Sequence, residues 1–181
     1  MRVNEKWVES VALVSLSLWV FLLLAAAAII WSLAALLKPS GKRVHSMLLM
    51  GFFLAVFDWF FETGGLLAGF WHSTGSIFAL GPTQFFPPIE VFLIALCAGA
   101  ALDLLFPKKF ELRVALPLTM LVAVAGTAIE AVLASAGNLV YLSGWTSAHA
   151  FAAYWAAFLL FYWVDANIIR GHAATQKRAG A

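Results

Sequence analysis

Charge is scarce in this chain. Only 11% of its 181 residues are Asp, Glu, Lys or Arg, and 64% are hydrophobic, whereas an ordinary soluble domain carries about 25% charged residues. Only lipid solvates such a surface, so a freely soluble domain is excluded and the lipid bilayer becomes the first expected partner. Cysteine is nearly absent: Cys97 alone excludes an intrachain disulfide and any multi-cysteine metal or redox centre. The net charge of +2 is small and its basic residues are spread among loops, which excludes the footprint of a nucleic-acid binder. Also missing are an Asp-Asp-x-x-Asp cluster, a Gly-x-x-x-x-Gly-Lys-Ser/Thr phosphate loop and a Gly-x-Ser-x-Gly nucleophile elbow. His45, His72, His149 and His172 never fall at ligand spacing, so neither a metal nor another cofactor is expected.

What the chain has is long apolar runs, at roughly 8–37, 44–71, 88–106, 112–136 and 147–169. Each is long enough to cross a hydrocarbon core about 30 Å thick. The expected fold is all-α: a single polytopic membrane helix bundle over residues 1–170 with about five transmembrane helices, followed by a polar cytoplasmic tail over 171–181. The first run is longer than a signal-peptide core and lacks a strongly basic stretch before it, so it reads as a retained anchor. Lys38, Lys42 and Arg43 lie in the first loop, Lys108, Lys109 and Arg113 in the third, and Arg170, Lys177 and Arg178 in the tail, while the second and fourth loops have no Lys or Arg. Basic residues are retained on the cytoplasmic side. That alternation puts the N-terminus outside and the C-terminus in the cytoplasm, in the plasma membrane, against the minority vote of Arg2 and Lys6.

Six acidic residues, Asp58, Glu62, Glu90, Asp103, Glu130 and Asp165, fall inside these runs. A carboxylate there is costly unless it is paired or faces a cavity. Asp103 and Asp165 come near the cytoplasmic ends beside Lys108, Lys109 and Arg170, where ion pairing or snorkelling accounts for them. The others differ in depth. Glu62 lies roughly 27 Å along the second helix from Val44 and Glu130 equally far along the fourth from Leu112. Glu90 begins the third helix on the outer side and His149 the fifth. These four are expected in one outer layer, with Asp58 one turn below Glu62 on the same face. Three converging carboxyls repel one another, so at least one is expected to keep its proton, and a buried carboxylic acid is a general acid. Helix capping is the simpler account of Glu90, which follows Pro87-Pro88-Ile89. The stretch from Glu62 to Trp71 also echoes that from Glu130 to Tyr141: each runs from a glutamate through small residues to a glycine and an aromatic. On that reading helices two and three repeat as four and five, and helix one is extra.

Aromatic residues surround these acids, among them Trp59, Trp71, Phe86, Tyr141, Tyr154 and Trp155. Trp71 and Trp145, near a membrane surface, also suit an interfacial belt. Ring faces lining a cavity can stabilise a cation that water does not reach. An acid beside such a cavity suits carbocation chemistry on a lipid-soluble alkene. Asp58, Gly69-Phe70-Trp71, Phe78-Ala79-Leu80-Gly81 and Pro88-Ile89-Glu90-Val91-Phe92-Leu93 together resemble the membrane-embedded lycopene cyclase domain of carotenoid cyclases. Val91 stands where that family has a second glutamate, and the stretch from Glu62 to Trp71 is similar to related carotenoid hydratases. The resemblance implies a non-redox, cofactor-free enzyme that protonates a polyene and then closes a ring or adds water, of a kind that can work as paired halves in a homo- or hetero-oligomer. Glu90 or Glu62 would be the acid, Glu130 and Asp58 an electrostatic partner or final base. Trp59, Trp71, Phe86, Tyr141, His149, Tyr154 and Trp155 would bind a hydrophobic isoprenoid substrate. The other class of function compatible with these residues is a small membrane carrier or complex subunit with a buried carboxylate path.

Overall fold

The computed structural model describes residues 5–74 and 87–170, with side chains from Leu18 onward. The expected tail at 171–181, the Phe78–Gly81 segment and Phe86 lie outside the described residues. Five helices run in chain order, α1 (Glu5–Leu37), α2 (Gly41–Leu67), α3 (Ile89–Leu105), α4 (Leu112–Ser135) and α5 (Ser147–Val164), the last continuing into a π-helical turn over Asp165–Ile169. Leu18–Leu37, α2, α4 and the α5–π segment are long and apolar enough to cross a bilayer. Helix α3, with 17 residues, is the short one, yet it runs the same course as α2: Val91 and Ile94 pack at one end of the bundle, and Asp103 meets Ser46 at the other.

The breaks between helices follow from local chemistry. Pro39 cannot donate an N–H to continue α1, and Lys38 turns the chain at φ 44° before Ser40 caps α2 by accepting from Arg43 N–H. After α3, Phe106 is extended, as a residue before proline is biased to be. Helices α2 and α4 both end in a Schellman turn. Glycine occupies the left-handed position in each, Gly69 at φ 71° and Gly137 at φ 75°. The two turns share one bond pattern: Phe70 N–H reaches Gly65 O, and Asn138 N–H reaches Leu133 O.

Each turn feeds a three-residue strand, β1 (Trp71–Ser73) and β2 (Leu139–Tyr141), which pair antiparallel with His72 opposite Val140 at the centre. The apolar runs predict a helix through residue 71 and a connection between 136 and 147; the structure replaces the end of that helix and part of that connection with this ribbon. Glu62 and Gly69 correspond to Glu130 and Gly137 at one constant sequence offset, and the central pair of the ribbon, His72 and Val140, corresponds at the same offset. The chain therefore consists of α1 and two like hairpins, α2–β1–α3 and α4–β2–α5, joined about the ribbon.

Within the first hairpin α2 packs tightly on α3, and α1 covers α3; in the second, α4 packs on α5. The α2–α3 seam is close because Gly51 faces Gly99. A Cβ at Gly51 would stand 2.5 Å from Leu96 O, and one at Gly99 2.8 Å from Gly51 Cα, so only small residues let the backbones meet. The two hairpins approach each other differently, through large side chains: Phe53 and Phe57 meet Phe161 edge-on at 5.3 and 5.0 Å. The ribbon joins the two hairpins at one end and a cluster of ion pairs joins them at the other.

Candidate functional site

Three of the carboxyls inside the apolar runs lie together between the two hairpins. Asp58 and Glu62, one turn apart on α2, and Glu130 on α4 lie close enough to act on one another electrostatically, and Tyr154 of α5 lies within the field of all three. Glu130 is the best-held member. Its Oε1 accepts the Tyr154 hydroxyl at 2.7 Å and its Oε2 accepts the Tyr141 hydroxyl. Glu62 Oε2 accepts the indole N–H of Trp71 at 2.9 Å. Burial, reinforced by the neighbouring Glu130, pushes the Tyr141 phenol above its usual 10.0, so it stays a donor through the neutral range. Among the described residues, the ion pairs involve only Asp103 and Asp165. The cluster is thus acidic, without a paired cation among those residues, and held by neutral donors.

The local sequence explains why these groups converge. The i, i+4 spacing stacks Asp58 and Glu62 on one face of α2. The Schellman turns reverse the chain so that β1 returns Trp71 toward Glu62 and β2 returns Tyr141 toward Glu130. Trp71 fits because Gly65 leaves room: a Cβ there would stand 1.9 Å from the ring. Tyr154 lies over Gly126 at ordinary contact distance, its nearest ring carbon 3.4 Å from a notional Cβ.

Glu90 is fully buried in the first turn of α3, while the charges that bear on Glu62 come from Asp58 and Glu130. Helix α3 packs chiefly on α2 and α1, and its C-terminal end reaches the α5–π segment through Asp103 and Arg170. The aromatic residues divide into two groups. Tyr141, Tyr154 and Trp71 touch the acids. Trp59 turns to α3, edge-on to Phe92 at 6.1 Å. Trp155 donates to Leu116 O, roughly 21 Å along α4 from Glu130. Trp71 is 5% exposed, a buried strut rather than a belt residue at the surface. His149 is exposed; its ring lies 5.4 Å from that of Trp145 and its Nδ1 is 2.9 Å from Thr146 Oγ1. Trp145 in turn meets Trp71 at 4.9 Å and Phe70 at 5.2 Å, so an aromatic stack lies beside the ribbon.

At the opposite end Asp103 and Asp165 are both fully buried. Asp103 receives Ser46 Oγ at 2.7 Å, Arg43 Nε at 2.9 Å and Arg170 Nε at 3.8 Å, and Asp165 pairs with Arg170. The expected partners Lys108 and Lys109 are exposed instead. Ion pairing is thus the role of both acids, but Arg43, a loop residue in sequence, is a principal cation. The π turn accounts for Arg170: its N–H bonds Asp165 O, and the wider turn carries both side chains inward.

Compared with known proteins, the chain matches no family model, no curated protein and no solved structure.

Proposed function

We propose that this protein is a membrane-embedded enzyme that protonates a lipid-soluble isoprenoid alkene and directs the resulting carbocation to ring closure or hydration. The observation that carries this reading is the group of Asp58, Glu62 and Glu130 with Tyr141 and Tyr154 donating to Glu130. A carboxylic acid in this group gives its proton to a terminal double bond, leaving a tertiary cation on the substrate. A second double bond attacks that cation to close a ring, and a neighbouring carboxylate removes a proton, so the product is an isomer of the substrate. If water attacks instead, the product gains one water. The rings of Trp71 and Trp145 supply π faces at one end, and the exposed apolar flanks of α2 and α4, including Phe60, Phe61, Ile129 and Val132, face lipid, from which a polyene enters. The resemblance of Asp58, Gly69-Phe70-Trp71 and Pro88-Ile89-Glu90 to the lycopene cyclase domain supports the same chemistry. That motif marks Glu90, whereas the contacts of Trp71 with Glu62 and of Tyr141 and Tyr154 with Glu130 favour Glu62 and Glu130 for the acid role. The basic loops favour a plasma-membrane protein with the ion-paired end in the cytoplasm.

The test is expression of the full chain in bacteria that accumulate an acyclic carotenoid, with chromatography of the extracted pigments. Wild type is expected to yield cyclised or hydrated product, Glu130→Gln and Glu62→Gln to lose it by about 100-fold or more, and Glu90→Gln to lose less. Extracts identical with and without the wild-type chain would sink the proposal. Like hairpins with acids at their interface are also how carriers are built; proton-coupled uptake into proteoliposomes, abolished by Glu130→Gln, would favour that second reading.

A further inference from the structure

At the ion-paired end lies a cavity of about 250 Å³ that the acid chemistry does not use. Four basic side chains border it, Lys42, Arg43 and His45 from the first turns of α2 and Arg170 from the end of the π turn. Leu49 and Ile169 supply an apolar side. The buried carboxylates hold the two arginines from behind. Arg43 engages Asp103 through Nε, which leaves the rest of its guanidinium fork for another acceptor. Lys42 forms no ion pair among the described residues and is exposed. The cavity also meets the positive end of the 27-residue helix α2, where Ser40 takes the Arg43 N–H and the Gly41 and Lys42 amides precede the first intrahelical bonds.

These groups share a depth as well as a sign. The cavity sits where α2 begins and the α5 span ends, the level at which a bilayer changes from acyl chain to headgroup. Basic pockets between helices at that level recognise phosphate-bearing headgroups, and the guanidinium fork matches phosphate oxygens in geometry. We propose that this cavity binds the phosphate group of an anionic amphiphile, with Lys42, Arg43 and His45 facing the oxygens, Arg170 held in the wall by Phe106 O, Asp103 and Asp165, and Leu49 and Ile169 facing the first carbons of its tail. The inference stands apart from the chemistry of the acid group.

Arg43 and Arg170 neutralise buried acids, so their loss would confound folding with binding; Lys42 and His45 are exposed and serve as the test positions. Full-length protein in a neutral detergent is titrated calorimetrically with dihexanoyl phosphatidic acid, with dihexanoyl phosphatidylcholine and with inorganic phosphate. Saturable binding of the phosphatidic acid is expected, with none of the phosphatidylcholine. Competition by inorganic phosphate identifies free phosphate as a sufficient ligand, and its failure to compete identifies the lipid as the source. Lys42→Gln/His45→Gln is expected to weaken binding about fivefold or more, whereas Lys108→Gln/Lys109→Gln, exposed basic positions outside the cavity, keeps wild-type affinity. No saturable binding of either anion, or an equal loss in both double variants, overturns the proposal.

Discussion

Trp71 joins two regions through one side chain. Its indole N–H holds Glu62 and its ring fills the space over Gly65, so the position of an acid depends on a residue with no side chain. Gly65→Ala drives the indole off its seat and is expected to lower stability by about 1–3 kcal/mol. Gly64→Ala, where a Cβ meets nothing within 4 Å, is expected to be neutral or to gain about 0.5–1 kcal/mol from a stiffer helix. Denaturant unfolding of the full chain in detergent, followed by tryptophan fluorescence, compares the two; equal effects would show that the ring does not sit where Gly65 leaves room. The acids themselves are legible in the sequence, because a carboxylate in an apolar run is conspicuous. Their partners are less so: Tyr141 and Tyr154 read as cavity wall, and only the folded chain makes them donors to Glu130.

At the scale of elements, hydropathy predicts the helices well because each long run must satisfy its backbone internally in lipid. It predicts their ends less well. The second run reads as continuous to Trp71, yet α2 stops at Leu67, since Gly69 takes the left-handed turn that hydropathy does not see. A ribbon of two three-residue strands leaves no periodicity to detect. The α2–α3 seam is equally silent in sequence, as Gly51 and Gly99 become neighbours only when the helices pair. Gly51→Val inserts a branched side chain 2.5 Å from a backbone oxygen, which no rotamer relieves. It is expected to cost about 2 kcal/mol or more and to speed amide hydrogen exchange along α3 relative to α5. Unchanged exchange in α3 would mean the seam does not depend on that contact.

For the whole molecule, the two hairpins are held at their ends: the ribbon on one side, the Arg43–Asp103–Arg170–Asp165 network on the other, and the Phe53, Phe57 and Phe161 rings between. The ribbon fixes the relative position of the halves, which a cross-link can test. In a Cys97→Ala background, His72→Cys/Val140→Cys puts two thiols on directly opposed strand residues, a separation that a disulfide spans. Mild oxidation is expected to bridge them within one chain, read as loss of both maleimide-reactive thiols. Lys38→Cys/Val140→Cys, at opposite ends of the bundle, is expected to stay reduced.

The sequence by itself determined that the chain is an all-helical bundle with spans long and apolar enough for a bilayer, which residues carry charge inside those spans, and how far along its helix each one lies. These are properties of one helix at a time, set by hydropathy and by a constant rise per residue. It also contained the repeat, in the echo of Glu62–Trp71 by Glu130–Tyr141. Only the tertiary structure decided which acids share a site. Depth along a helix says nothing about the order of helices, which packing sets: Gly51 and Gly99 draw α2 and α3 together, Phe53 and Phe57 hold α2 to Phe161 of α5, and α4 packs on α5. That order brings Glu130, held by Tyr141 and Tyr154, within electrostatic reach of Asp58 and Glu62.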